Sequence, residues 1–439
     1  MSDRIFSTIK ACLPERWAWI FEHEGLRRYS ENTGWLFLGQ VFSLLVSFFI
    51  GVWLARYLGP QQYGIASYVV SFVGLFSFIS YLGVDGILSR ELINYPESRD
   101  ALLGTSFRLK LAGGCLAFLA ASAAAFLIKT DPFTRLLIFL YASTFIFQAA
   151  SVISIFFQAR VESRSSVLAQ LFATLISAGL KIFLIVSGQG LLWLIVIYMI
   201  EIVVQALAYF SAYRLRGFSC FAWRFDHKLA GEIWRGAWPL MLSGAAYFVY
   251  LKVDQVMIGR MMGESPLGLY AAAVRVVEAA YFIPLVFSSS LFPAIVNAKK
   301  NNTVSYRRRL RNFYGLMLAL ALLIAIPVSG LSGYIVDFLF GAPYAAAAPI
   351  LRIYVWSDVG LFVGWAASQH LLAESRTKLI FLANLLALSA NVGLNLWLIP
   401  NFGLVGAAWA SLMSYLAIPV IVVGWTWFRS LRRVSGEAV

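Results

Sequence analysis

The chain has 439 residues, 60% of them hydrophobic and 13% charged, with 35 Lys and Arg against 21 Asp and Glu. Soluble domains carry about a quarter charged residues, so this composition excludes a soluble globular protein. A formal charge of +14 would suit nucleic acid, but the basic residues fall in short connections between apolar runs, which makes them a topology signal and excludes that partner.

A bilayer core of about 30 Å calls for about 20 apolar residues per helix. Segments of that kind run over 33–57, 63–88, 108–128, 134–158, 166–187, 190–213, 236–260, 267–296, 312–333, 349–372, 377–399 and 404–428. The fold expected is an all-α polytopic membrane protein of about twelve transmembrane helices in two six-helix bundles. Its parts would be an N-terminal segment 1–32, a first bundle 33–213, a linker 214–235, a second bundle 236–428 and a tail 429–439. With the N-terminus in the cytoplasm, 27 of the 35 basic residues lie on the inner side, among them Arg90, Arg108, Lys110 and the Arg307–Arg311 run. Five lie outside (Arg56, Lys129, Arg135, Arg260 and Arg352), and Lys181, Lys252 and Arg275 fall inside spans. The positive-inside rule then puts both termini in the cytoplasm.

Residues 1–32 mix Trp17, Trp19, Ile20 and Phe21 with charges, which suits an interfacial helix or a tail with aromatic anchors. They hold no continuous apolar run, so no cleavable signal peptide is expected. The second span carries Asp85, which either faces a cavity or caps a helix end. The fifth carries Lys181 near its centre and the sixth carries Glu201. Charges at bilayer depth cost at least a few kcal/mol and normally face a wet cavity or a partner.

The chain repeats itself. Arg56, Gly59 and Gly64 recur as Arg260, Gly263 and Gly268, and the run GLKIFLI from Gly179 recurs as GLNLWLI from Gly393. Halves that repeat in the same order with an even number of spans share their orientation, with a cavity expected where they meet. Between them, Leu229, Ile233, Trp234 and Ala237 recur at helical spacing in the linker, which predicts a surface helix tethering bundles that rock.

The second half opens on a hairpin, two spans joined by the turn GESPLG, with Lys252 and Asp254 in the first and Arg275 and Glu278 in the second. Pro284 and Pro293 are expected to break that second helix, and interrupted helices mark binding sites in many transporters. Arg275 and Glu278, three apart, share a helix face and either neutralise each other or line the cavity. Lys252 and Asp254, two apart, point to different sides, so at least one faces the cavity or another helix. Asp358 stands alone in the tenth span as a candidate for coupling or binding, and His370 reads as a polar interface residue. The spacings Gly259 to Gly263 and Gly360 to Gly364 read as close helix packing.

No glycine directly precedes a lysine, so the G-x-x-x-x-G-K-[ST] phosphate loop is absent. Three scattered histidines and three scattered cysteines (Cys12, Cys115 and Cys220) give neither metal spacing nor a disulfide framework. The outer connections are too short for a catalytic loop, which argues against an enzyme. No cofactor is expected, and coupling to protons or sodium ions is the drive considered.

The runs ARYLGPQQYGIASYVVSF, YLGVDGILSREL, WPLMLSGAAYFVYLKVDQVMIGRMMG, YFIPLVFSSSLFPAI, PILRIYVWSDV and LNLWLIPNFGLVGAAWASLMSY resemble the bacterial oligosaccharide flippases of polysaccharide biosynthesis. These form the O-antigen (Wzx-type) group of the multidrug/oligosaccharidyl-lipid/polysaccharide (MOP) superfamily. The resemblance implies two bundles forming a V, alternating access and a bacterial inner-membrane location. It also implies an undecaprenyl-diphosphate-linked glycan as cargo, with membrane lipids and other polysaccharide assembly proteins as partners. A cationic cavity is part of that implication, and Lys181, Lys252 and Arg275 are the residues that would supply it. Asp85, Glu201, Asp254, Glu278 and Asp358 are the matching charge-balance or coupling candidates. A multidrug-type cation exporter of the same superfamily is the alternative, with a cavity governed by acids such as Asp85 and Asp358.

Overall fold

The computed structural model describes residues 24–128 and 131–434, and all regular elements among them are helical. Expectations for residues 1–23, Lys129 and the chain past Val434 lie outside the described residues. In chain order the first half holds α1 (Glu24–Gly74), α2 (Ser77–Tyr81), α3 (Val84–Asn94), α4 (Arg99–Ile128), α5 (Pro132–Ala142), α6 (Thr144–Phe147), α7 (Ser151–Ala159), α8 (Arg164–Val186) and α9 (Leu191–Leu215). The second half holds α10 (His227–Met261), α11 (Glu264–Glu278), α12 (Phe282–Asn301), α13 (Thr303–Gly330), α14 (Ser332–Phe340), α15 (Ala348–Tyr354), α16 (Ser357–Ala373) and α17 (Thr377–Val434). The chain is a multi-pass helical membrane protein.

By length and apolarity alone eight described helices can cross a bilayer, or nine with the bent pair of α15 and α16, against the twelve spans expected. The shortfall has a physical origin. A straight helix of 51 residues, the length of α1, would reach about 76 Å, more than twice a bilayer core. Gly59 divides it with φ 68°, a left-handed conformation that suits glycine, and Pro60 starts the next arm. Gly403 (φ 59°) divides α17 in the same way. Counting those arms separately and adding the more charged α10 restores twelve segments.

The repeat is visible in the backbone. Gly59 (φ 68°, ψ 171°) and Gly263 (φ 94°, ψ −175°) take the same conformation at equivalent turns. The turn after α10 is shorter than GESPLG, since Glu264 already begins α11. The break in the next span falls at residues 279–281, where Pro284, which lacks an amide hydrogen, cannot bond back to the Ala280 carbonyl. Pro293, by contrast, lies inside the continuous α12.

Two ends of the molecule are distinct: a turn face carrying Gly59, Gly263 and Gly341, and a basic face carrying the linker and the Arg307–Arg311 run. At the turn face the halves interlock. A Cβ on Gly64 would lie 2.7 Å from the carbonyl carbon of Glu264, and one on Gly268 would lie 2.7 Å from that of Pro60. Pro60 and Glu264 are themselves repeat equivalents, so this contact is reciprocal across a pseudo-twofold axis. Arg56 donates to the carbonyls of Asp337 and Phe338, and Tyr344 Oη donates to that of Ala55 at 2.7 Å, which ties the same end further. Toward the basic face the contact between halves runs chiefly through α10, while α12 packs on α13 and α16. The two halves are thus closed at the turn face, and toward the basic face they meet through α10.

The linker is not a free tether. The Arg224 amide donates to Asp100 O at 3.2 Å, the Asp226 amide donates to Thr105 Oγ1 at 3.0 Å, and Trp223 packs on Phe107, Phe210 and Tyr213. Leu229, Ile233 and Ala237 belong to the start of α10 rather than to a separate surface helix, and they pack into the first half's core. Asp226 caps α10, accepting from the amides of Lys228 and Leu229.

Candidate functional site

The seam between the halves holds a cavity of about 130 Å³ lined by both. The second arm of α1 contributes Tyr63, Ser67 and Ser71, α9 contributes Tyr198, α10 contributes Lys252 and Gln255, and α11 contributes Arg275 and Glu278. The first half therefore supplies hydroxyls and the second half supplies the charges. Two cations face one acid, a formal excess of one positive charge.

Glu278 does not pair with Arg275, three residues before it, as one of the two sequence readings had it. Its Oε1 accepts from Lys252 Nζ at 2.7 Å, across the helix hairpin. Arg275 reaches into the first half instead: Nη2 donates to the Ser47 carbonyl at 2.5 Å and Nη1 to Tyr63 Oη at 3.4 Å. Its Nε is buried without a hydrogen-bond partner. Space for the guanidinium comes from Gly51, where a Cβ would lie 2.5 Å from Nε and closer still to the rest of the group. Among the described residues no carboxylate bonds to this arginine.

Lys181 and Glu201 form a pair beside the cavity, at 3.0 Å, with Ser177 also donating to Glu201 at 2.5 Å. Lys181 Nζ sits 4.7 Å from the centre of the Tyr198 ring, which lines the cavity, a cation–π contact. Lys181 is thus next to the seam, with its charge already balanced.

Lys252 and Asp254 do point to different sides. Asp254 is 1% exposed, with its oxygens accepting from Tyr270 Oη (2.6 Å), Ser411 Oγ (3.1 Å) and the Gln255 amide (2.7 Å). It anchors α10 to α11 and α17 rather than lining the cavity. Asp358 is fully buried in the first turn of α16, and neither carboxylate oxygen has a hydrogen-bond partner. His370 Nδ1 lies 3.2 Å from Tyr314 Oη, a polar contact between helices. Gly259 and Gly360 give close approach, to the Tyr68 ring and the Tyr415 backbone, whereas a Cβ on Gly263 would meet nothing within 4 Å. Gly263 is a turn residue.

A second and larger cavity, about 320 Å³, lies within the first half. Asp85 is there at the start of α3, bonded to Lys110 at 2.6 Å. By sequence Lys110 belongs among the cations of the inner rim. The structure buries it to 2% exposure, with Ser151 Oγ as a second partner at 2.7 Å. The missed signal was the helix start: Pro96 and Asp100 place the first turn at Arg99, and Lys110 then lies about 16 Å along the helix. Among the described residues no cluster of His, Cys, Asp and Glu could hold a metal ion.

The family described as "Polysaccharide biosynthesis protein" matches residues 30–299, and the MatE family matches residues 239–397. The probable low-salt glycan biosynthesis flippase Agl15 of Haloferax volcanii is 24% identical over 185 residues, 41% of this chain and 39% of that one. The probable flippase AglR of the same organism is 26% identical over 182 residues, 40% and 37% of the two chains. The chain thus spans about two fifths of the length of the curated relatives it matches. Among solved structures, an inward-facing multidrug resistance MATE family transporter of the MOP superfamily superposes with a TM-score of 0.73 at 15% identity, covering 90% of this chain and 96% of its own. The lipid II flippase MurJ in an inward closed conformation gives 0.69 at 15% identity over 89% and 86%. An outward-facing MATE transporter gives 0.65 at 15% identity over 92% and 95%. The fold is that of these MOP-superfamily proteins.

Proposed function

The chain belongs to the polysaccharide biosynthesis protein family, and on that premise we propose that it is a flippase for lipid-linked glycans. Its cargo would be an undecaprenyl-diphosphate-linked oligosaccharide, an O-antigen or other surface polysaccharide repeat unit. It would move from the cytoplasmic to the periplasmic leaflet of a bacterial inner membrane by alternating access. The observation that carries this reading is Arg275, held in the seam by a main-chain carbonyl and a phenol, with Nε unused. A diphosphate diester carries about two negative charges, and arginine is the side chain best suited to bind it. The headgroup is what cannot cross hydrocarbon unaided; the polyprenyl tail stays in lipid while the headgroup uses the cleft.

The basic face is the cytoplasmic one in this scheme, with both termini on that side and loading from there. A turn face closed by backbone contact fits access from the basic side. Energy comes from coupling to protons or sodium ions, for which Asp358, buried with both oxygens unbonded, is the assigned position. A cation exporter would want acids in the seam, and two cations against one acid favour the anion. In a strain lacking the chain, surface polysaccharide should be lost, restored by the intact protein and not by Arg275→Ala or Lys252→Ala. Full restoration by Arg275→Ala would sink the anion reading, and drug sensitivity with normal polysaccharide would favour the exporter.

A further inference from the structure

The seam cavity, at about 130 Å³, is small against ligand sites of about 300–1,000 Å³. It has room for phosphate but not for the sugars attached to it. The 320 Å³ cavity of the first half reaches that range and adjoins the seam. Tyr81, on its wall, stacks on Phe248 of α10 with ring centres 5.5 Å apart. Ile202 of α9 lines that cavity too, and Tyr198, four residues earlier on the same face of that helix, lines the seam cavity, so the two linings come within about one turn, ~6 Å, of each other.

We infer that the larger cavity is a saccharide-recognition pocket that takes the sugars next to the phosphates while Arg275 and Lys252 hold the phosphates themselves. This rests on the function proposed above. The chemistry of the walls points to a neutral, hydroxyl-rich ligand. The two charges present, Lys110 and Asp85, are spent on each other, leaving nothing to draw in an ion of either sign. Three side-chain amides converge there. Gln148 accepts from Ser80 at 3.5 Å, Gln158 donates to Ser154 at 3.2 Å and Gln205 donates to Tyr209 at 3.2 Å. Each bond engages one end of an amide and leaves the other end for a ligand. Amides and hydroxyls both donate and accept, as sugar hydroxyls do. The Tyr81 ring is already engaged, stacked on Phe248 and with Lys110 Nζ 5.6 Å from its centre, so recognition falls to the amides and hydroxyls.

The test measures binding to the full chain in lipid nanodiscs. The probes are short-chain polyprenyl diphosphates that are bare or carry one hexose, one N-acetylhexosamine or one uronic acid. At least one sugar-bearing probe should bind about tenfold more tightly than the bare one, the increment of one or two hydrogen bonds. Gln205→Leu should erase that increment and leave the bare probe's affinity unchanged, which also certifies that the variant is folded. Gln148→Leu should do the same, while Arg275→Ala should weaken every probe alike. An increment that survives both glutamine substitutions overturns the saccharide pocket, as does a panel in which no sugar helps, with the anion site left standing. A bare probe indifferent to Arg275→Ala removes the anion site, and the pocket that depends on it falls too.

Discussion

Closure at the turn face depends on two glycines, and replacing either one should force that end apart. A side chain on Gly64 would put Cβ 2.7 Å from the Glu264 carbonyl carbon and 3.0 Å from the Gly268 nitrogen, and one on Gly268 would lie 2.7 Å from the Pro60 carbonyl carbon and 3.1 Å from the Gly64 nitrogen. The carbonyl oxygens of Glu264 and Pro60 would be nearer still, and carbon–oxygen contacts settle at about 3.3–3.6 Å, so the helices would need to separate by about 1.5 Å. The obstacles are main-chain atoms on both sides, which no rotamer change can relieve. Overpacking of this kind costs about 1–3 kcal/mol, and 2 kcal/mol borne by the closed state alone would multiply the turn-face-open population about thirtyfold. A single cysteine at Ser67, which lines the seam cavity, in a chain otherwise free of cysteine, reports that opening. An impermeant thiol reagent outside sealed, right-side-out vesicles should label it much faster in Gly64→Val or Gly268→Val than in the parent. Gly179→Ala and Gly393→Ala, where a Cβ meets nothing within 4 Å, should leave labelling unchanged. A folded Gly64→Val protein labelled at the parental rate would refute the reasoning.

Gly51→Ala should expel the Arg275 guanidinium from its socket and depress surface polysaccharide output about as far as Arg275→Ala, with expression intact. The Asp85–Lys110 pair should respond unequally to truncation, because Asp85 is 39% exposed and Lys110 is 2% exposed. Asp85→Asn leaves a buried ammonium short of its partner and should cost about 3 kcal/mol, whereas Lys110→Met leaves a carboxylate in a wet pocket and should cost about 1; thermal unfolding in detergent ranks them. Cys220 lies in the linker, where burial pushes its thiol up from the ordinary value. Since the thiolate is the reactive form, its alkylation in opened vesicles should still be climbing between about pH 8 and pH 9. A plateau by pH 8 would contradict that environment.

The architecture was legible because a bilayer leaves a helical chain few choices: apolar runs of bilayer length become spans, and a glycine–proline step between them becomes a turn. The repeat of Gly59 and Gly64 in Gly263 and Gly268 announced the pseudo-twofold, but not that these repeats touch each other at the axis. Pairing was less legible. Helical spacing favours Arg275 with Glu278, and only the hairpin's packing shows that Lys252 is nearer to that acid. Lys110 was hidden for a related reason. A basic residue beside other basic residues reads as loop, and a helix boundary shifted by nine residues carried it from the rim into a buried ion pair. Gly51 was unreadable as a socket, since nothing local to α1 says that an arginine from the other half will occupy its missing side chain.

The two halves share a backbone plan and differ in chemistry at equivalent places. Lys181 corresponds to Asn395 and Ser177 to Asn391, so a charged network in the first half is matched by an amide network in the second, where Asn395 donates to Asn391 and Asn391 to Ser414. Arg275 corresponds to Ser71, which donates to Gln255 at 2.8 Å. An axis along the membrane normal exchanges the two halves and not the two ends, so it gives both bundles the same contact surface at the seam. A phosphate–sugar headgroup has no twofold axis, and a site that bound it symmetrically would present half its contacts to the wrong group. Arg275 stands seven residues, about 10 Å, along its helix from the glycine contact at the turn face, which puts it near the middle of a core about 30 Å thick. Rocking displaces the ends most and the middle least. A single unbalanced cation at that depth can therefore keep hold of an anion while access passes from one face to the other.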